Sequence, residues 1–395
     1  MTPDSQIQQR LTYTIEYPVL FTENVFDPSN PVLARTLDRL SENRVHRAMV
    51  FIDSNVADVF PQVTQHVIQY FEAYADDIEL AEEPRIIPGG EIVKSDFSVV
   101  PPMTSALIEA HLCRHSYVII IGGGAVIDTV GFAASITHRG LRVIRIPTTV
   151  LSQASAGVGI KTGVNFANTK NGMGTYAPPF AVINDSQFLF SLQDRDWIAG
   201  MAEAMKVAVL TDAEFFEELT SIASSVQARQ PETMLQLVRR TAELNLRYSA
   251  KQNDPFEVGF GHPLDLGHWA ARKIESLSNL EVSYGEALAM GTLIDCRYAV
   301  EVGWLSETDF ERIHTAFAQA GFSLWFSELE IVGVDGNLEL LHGIPEFQEH
   351  MGGVLTIIYP DKIGSFRIEH EVDIEALERA LDRLKTMASA VVEMR

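Results

Sequence analysis

Cysteine is nearly absent: the 395 residues include two, Cys113 and Cys296, with no CxxC pair and no dense pattern. That excludes a disulfide framework and a cysteine-rich zinc site, and a reducing, cytoplasmic setting is expected. Basic residues are scarce too, 30 lysines and arginines against 53 acidic residues, for a formal net charge of -23. Nucleic acid and anionic membrane surfaces repel such a chain, so neither is expected as a partner. An anionic small molecule would need a local basic pocket. Long apolar runs are missing: the stretch from Val118 to Ile127 is broken by glycines and closed by Asp128, and the opening MTPDSQIQQR holds no apolar core. Neither a membrane span nor a secretion signal is expected. Internal repeats and low-complexity tracts are absent as well. The remainder is an ordinary globular composition, 46% hydrophobic and 21% charged, on a chain long enough for two domains.

The stretch that organises the chain is SYVIIIGGGAVIDTVGFAAS, Ser116 to Ser135. A β-branched run stops at Gly122, Gly123 and Gly124 and feeds a helical pattern carrying Asp128. Such a turn sets backbone N–H groups and a helix N-terminus where a phosphate can sit. The spacing is not GxGxxG, and a glycine turn after a strand also occurs in domains that bind nothing there.

Around it, strand and helix patterns alternate at short intervals, as in a parallel sheet. A strand is expected from Leu11 to about Leu20, a helix over PVLARTLDRLSE, and a strand from Arg47 that ends at Asp53. Asp53 either holds a ribose hydroxyl or starts a turn. Val63 to Tyr74 has amphipathic helical spacing, and the next strand runs into Pro88, Gly89, Gly90 and Glu91, with Lys94 one helical turn on. A further strand ends at Pro147, Thr148 and Thr149, and a Gly/Ser/Ala-rich loop leads to Lys161, then to Lys170, Asn171 and the turn GTYAPP. Hydroxyls and lysines at a strand's carboxyl edge suit a phosphorylated polar ligand, and a solvated loop with surface lysines is the plainer alternative. From Leu189 on, helical patterns dominate, so a domain boundary is expected near Asp185, giving an α/β domain over 1–185 and a mainly helical one over 186–395. A small sheet is expected between Gly353 and Glu369.

In WIAGMAEAMKVAVL, Glu203 and Lys206 are the only charged residues of an apolar helix and share one face. A carboxylate in such surroundings is paired, protonated or bound to a metal. A buried Glu–Lys pair satisfies the pattern, and so does a metal ligand. His262 and His268 follow, the latter opening a helix with Arg272 one turn later. Two donors do not make a zinc site, which needs three protein ligands.

Taken in order, PGGEIVKS, GGGAVID, the HRG at His138 to Gly140, IPTT, GIKTGVN, KNGMGTYAPP, AGMAEAMK, LGHWAARKIE and YGEALAMG resemble the sugar phosphate cyclases, typified by 3-dehydroquinate synthase, and the variant segments GTYAPPFAVIND and PLDLGHW are similar to a divergent branch. The resemblance implies an α/β, Rossmann-like N-terminal domain plus an α-helical C-terminal domain, with NAD and a divalent metal, zinc or cobalt, meeting in the cleft of what is commonly a homodimer. Such enzymes are carbon–oxygen lyases. They oxidise one hydroxyl of a sugar phosphate with NAD, eliminate phosphate beside the transient ketone, reduce the ketone back and close the ring by an aldol step. Carried over position by position, Asp53, Glu91, Lys94, Gly123, Gly124, Asp128, Thr148 and Thr149 match cofactor-binding positions. Arg139, Lys161, Lys170, Asn171, Lys206 and Lys251 match catalytic and substrate-holding positions, and Glu203, His268 and Tyr284 match metal positions.

Four positions depart from the family pattern. Tyr284 stands where the third ligand histidine is usual, Arg272 where a second histidine follows the ligand, Ser155 where an aspartate precedes Lys161, and Asp265 in place of an asparagine. A phenol for an imidazole, with a guanidinium added nearby, should weaken metal binding unless Tyr284 or His262 supplies the missing ligand. Two other readings use the same residues: an NAD-dependent polyol or glycerol phosphate dehydrogenase of the same architecture, and a non-catalytic NAD-binding paralogue.

Overall fold

The computed structural model describes residues 7–167, 169–251 and 264–393, with the side chains of Lys251 and of 390–393 left out. The first half is built on β1 (Val19–Thr22), α1 (Val32–Leu37), β2 (His46–Asp53), α2 (Ser54–Val59), α3 (Val63–Ala73), β3 (Ile78–Leu80), β4 (Arg85–Ile87), α4 (Val100–Glu109), β5 (Tyr117–Gly122), α5 (Gly124–Ile136) and β6 (Arg142–Pro147). It continues through β7 (Lys161–Phe166), β8 (Thr169–Tyr176) and β9 (Ala181–Asp185). Strands β1, β9, β6, β5, β2 and β3 lie in that order in one parallel sheet, with β4 also on β2. β2 and β5 are buried along almost their whole length, as expected of a parallel sheet covered on both faces. Apolar clusters fill both sides, one around Ile52, Tyr70 and Ile119, the other around Phe51, Ile120 and Val130.

Chain order sets the site. After β2 the chain steps outward to β3 and β4, then returns to place β5, β6 and β9 on the other side of β2. The β2/β5 border is therefore the switch point, and a crevice opens there outside the strands' carboxyl ends.

Three expectations needed correction. The first strand begins at Val19: Leu11 and Tyr13 are 85% and 84% exposed, and Pro18, which has no N–H to donate, offers β9 only its carbonyl. The stretch before Pro88 is two short strands in tandem, since Glu82, Glu83 and Pro84 interrupt the ladder between β3 and β4. The Gly-rich segment before Ala177 is a wide helical turn at Ser152–Ala156 followed by the antiparallel hairpin β7–β8. Its glycines allow close approach: a Cβ on Gly163 would lie 2.6 Å from the Met173 carbonyl, and one on Gly174 2.6 Å from that of Thr162.

The second half is helical: α6 (Gln187–Phe190), α7 (Asp194–Thr211), α8 (Ala213–Gln227), α9 (Pro231–Lys251), α10 (His268–Leu277), α11 (Tyr284–Glu301), α12 (Glu307–Gln319), α13 (Gly343–His350) and α14 (Ile374–Glu393), with the hairpin of β10 (Ile357–Lys362) and β11 (Ser365–Glu369) where a small sheet was expected. α7 is buried on every side from Ala199 to Leu210, so it forms the axis around which the other helices pack. Gly200 lets it approach the sheet half, because a Cβ there would lie 2.0 Å from Val150 Cγ1. Among the described helices, none is long and apolar enough to cross a membrane.

Candidate active site

Asp53 ends β2 and caps α2, its Oδ1 accepting the Asn55 N–H at 2.9 Å, while Oδ2 faces the Gly123 N–H at 3.5 Å. Asp53 thus starts a turn, and it also stands beside the glycine turn. Burial raises its pKa despite these backbone donors. Gly123 caps α5, and a Cβ there would touch Thr149 at 3.4 Å, so the turns after β5 and β6 are neighbours. The Thr148 N–H donates to the Gly122 carbonyl at 3.0 Å, and Thr149 Oγ1 is tied to Ser152 Oγ at 2.8 Å. Gly89 closes the group: a Cβ on it would lie 1.8 Å from Asp53 Oδ1. A 13-residue helix with its N-terminus at a switch point, framed by glycines, could hold a dinucleotide pyrophosphate.

From this edge a row of alternating charges crosses to the helical half. Asp128 on α5 pairs with Lys94, Glu91 Oε1 lies 3.8 Å from Lys170 Nζ, and Lys170 on β8 pairs with Glu275 on α10. Burial opposes the charge on Lys94, but the Asp128 and Glu91 carboxylates outweigh it and raise its pKa. Burial raises the pKa of Glu275 against the pull of Lys170. Lys170 also lies 5.0 Å from the centroid of the Tyr284 ring. Glu91 Oε1 is buried without a hydrogen-bond partner, so this side of the crevice offers an acceptor.

The remaining side chains converge from α7, α10 and α11. Lys206 Nζ is 2.9 Å from Glu203 Oε2 and 3.0 Å from His268 Nε2, and Tyr284 Oη is 3.4 Å from the same nitrogen. Glu203 and Lys206 are each 2% exposed. The other ring nitrogen, Nδ1, lies 3.2 Å from Asp265 Oδ1, which places the proton on Nδ1 and leaves the Nε2 lone pair facing Lys206 and Tyr284. Burial, then the ammonium of Lys206, push the His268 pKa well below its ordinary value, so the ring is neutral. Burial and the Glu203 charge hold the Tyr284 phenol well above its usual range. Carboxylate, neutral imidazole and phenol gathered in this cluster are donors of the kind that could hold a divalent cation.

Not every expected residue joins this cluster. Arg139 follows α5 and precedes β6, so it sits at the amino edge of the sheet, opposite the crevice, beside His111, Cys113 and Arg114. The resemblance marked a residue type, but α5 carries the chain back across the whole sheet before reaching it. Asn171 lies near the start of β8 with φ +56°, its N–H donating to Asn165 Oδ1 at 2.9 Å. Lys161 opens β7, and its charge reaches His268 and His350. Ser155 lies in the wide turn whose Ala156 would touch a Cβ on Gly124 at 3.4 Å, and Arg272 on α10 stacks over Phe347 at 5.7 Å. The Lys251 side chain and His262 lie outside the described residues.

Two participants were missed in the sequence. Asn245 on α9 donates to Glu203 Oε1 at 3.4 Å and to the Ala154 carbonyl at 3.0 Å, and Glu275 neutralises Lys170. A buried asparagine inside the helical pattern was the available signal for the first. The second pairing spans 105 residues and left none.

Comparison with known proteins places the chain in a family. Family models described as 3-dehydroquinate synthase N-terminal and C-terminal match residues 85–199 and 200–340. A 3-dehydroquinate synthase of Sulfolobus acidocaldarius is 33% identical over 292 residues, 74% of this chain and 81% of that protein. The chain belongs to the 3-dehydroquinate synthase family. A 2-epi-5-epi-valiolone synthase of an Actinomyces species is 30% identical over 391 residues, 97% of this chain and 98% of that one. Among solved structures, the 2-epi-5-epi-valiolone synthase of Streptomyces hygroscopicus subsp. jinggangensis, with NAD+ and Zn2+ bound, superimposes with a TM-score of 0.85 at 26% identity, covering 96% of this chain and 100% of that one. Within the 3-dehydroquinate synthase family, then, this chain has the glycine-turn crevice and, on its helical half, the cluster of Glu203, Lys206, His268 and Tyr284.

Proposed function

We propose that this chain is a sugar phosphate cyclase that binds NAD and a divalent cation, zinc or cobalt, eliminates phosphate from a heptulose-type sugar phosphate and closes a carbocycle. The observation that carries the reading is the convergence of Glu203, Lys206, His268 and Tyr284 in the same molecule as the crevice lined by Asp53 and Gly123. Gly123, Gly124, Thr148 and Thr149 would seat the dinucleotide with Asp53, Glu91, Lys94 and Asp128, while Glu203, His268 and Tyr284 would hold the cation. When bound, NAD removes and returns a hydride, and the cation polarises the hydroxyl being oxidised.

The chain's own residues do the rest. Lys206 places an ammonium beside the reacting hydroxyl, where its charge favours the oxyanion that develops. Lys161, Lys170 and Arg272 supply positive charge for the phosphate in a molecule of net charge -23. Asp265 keeps His268 in the tautomer that presents Nε2. The sheet ends at Asp185, which supports a division into 1–185 and 186–395. A cytoplasmic homodimer completes the proposal, with the two free cysteines in accord with a reducing compartment.

The test is release of inorganic phosphate from a panel of heptulose phosphates by protein loaded with NAD and Zn2+ or Co2+. Phosphate release without accumulating NADH supports the cyclase, because the cofactor is regenerated in each turnover. Net NADH from a simple polyol would favour a dehydrogenase, and NAD binding with neither product a non-catalytic paralogue.

A further inference from the structure

Asp295 lies in α11, three turns beyond Tyr284, and is fully buried. Among the described residues it makes no salt bridge. Its carboxylate instead spends both oxygens on the residues that flank His268: Oδ2 accepts the Gly267 N–H at 2.7 Å and Oδ1 accepts the Trp269 Nε1–H at 2.8 Å. A buried carboxylate is costly, so its place needs a reason, and its two partners bracket one functional side chain.

The surrounding backbone shows what the bracket does. Gly267 caps α10 in the left-handed region, φ +76°, and presses on α11 so closely that a Cβ would lie 2.4 Å from the Thr292 N. Gly291 returns the contact, since a Cβ there would lie 2.2 Å from the Gly267 carbonyl. Trp269 is buried on the other side. His268 thus leaves a turn clamped to α11 at both neighbours, while Asp265 holds its ring at Nδ1 and its backbone N–H.

The geometry points to Asp295 as the positioning residue that aims His268 Nε2 at Glu203 and Tyr284. This rests on the reading of those three as metal ligands. In its ionised form the carboxylate meets both flanking donors with an acceptor. An asparagine has one acceptor and one NH2, so Asp295→Asn must set a donor against either Gly267 N–H or Trp269 Nε1–H.

The test uses the full chain as wild type, Asp295→Asn and Trp269→Phe, the last removing one of the two bonds. Zn2+ affinity is measured by chelator competition, NAD affinity by titration, folding by thermal melting, and the His268 ring by NMR of histidine-labelled, metal-free protein. Asp295→Asn is expected to lose about tenfold to a hundredfold in Zn2+ affinity, as other outer-sphere changes do, with Trp269→Phe in the same direction and NAD affinity unchanged. The ligand-field spectrum of the Co2+ form and the His268 ring signals should shift with it. Unchanged Zn2+ affinity and an unchanged His268 signal in Asp295→Asn would overturn the proposal, as would parallel losses of NAD binding and melting temperature. Wild type that takes up no metal would refute the ligand reading alone, and the His268 signals of metal-free protein would still decide the role of Asp295.

Discussion

Lys206 Nζ lies 3.0 Å from His268 Nε2, on the lone pair that a metal would share with Glu203. The ammonium and a divalent cation therefore compete for the same donors, and metal entry must move Lys206 toward the substrate. Removing the charge with Lys206→Met should tighten Zn2+ binding about tenfold or more while abolishing phosphate release. Chelator competition and a phosphate assay on one preparation measure both. Weaker Zn2+ binding in the variant would show that Lys206 supports the site instead of contesting it.

Gly89 has no room for a side chain, with Asp53 Oδ1 1.8 Å from where a Cβ would stand. Gly89→Ala should push Asp53 off the glycine turn, at about 1 to 3 kcal/mol of overpacking. Expressed at the crevice, that is roughly a tenfold to hundredfold rise in the NAD Kd, measured by calorimetry. Zn2+ affinity should not move. Unchanged NAD binding would remove Asp53 from the cofactor site.

Glu275 is 5% exposed and has Lys170 as its partner. Lys170→Met leaves the carboxylate buried and unpaired, which costs about 3 to 5 kcal/mol in comparable pairs, reduced here because Lys170 is 24% exposed. Glu275→Gln, which removes the buried charge itself, should cost less. Urea unfolding of the two variants ranks them, and the reverse order would mean that the pair contributes little.

Burial lifts the Asp295 carboxyl to about 7, against an unfolded value near 4. Between those values the folded form keeps a proton the unfolded form has lost, so this group's contribution to stability falls as pH rises through that window and stays low above it. Relative to Asp295→Asn, wild type should gain about 2 to 3 kcal/mol on going from pH 8 to about pH 5. Urea unfolding of both proteins at the two pH values measures the difference. A parallel pH course would show that the two N–H donors keep Asp295 ionised at neutral pH.

The parallel layer was legible because β-branched runs such as Tyr117–Gly122 admit few other folds, and the glycine turn at Gly122–Gly124 announced the crevice. Glu203 and Lys206 were legible as the two charges of an apolar helix. What stayed hidden depends on long-range geometry. Glu275 meets Lys170 only because the β7–β8 hairpin reaches α10, and no spacing encodes that. Asp295 went unmarked in the sequence, because nothing in the spacing of α11 shows that Gly267 and Trp269 donate to it. Arg139 sat in a motif whose edge of the sheet is set by the length of α5, which motif order does not express.

Strand β1 has β9 as its sheet partner, and Asp185 accepts the N–H groups of Asn24 and Val25 some 160 residues before it. During synthesis at cellular rates, the segment around Val19 waits roughly 8 to 30 s for that partner to be made. The inner strands have each other by then, so β1, made before them, joins the sheet after them. Until it does, β9 presents an open edge to whatever chain is nearby.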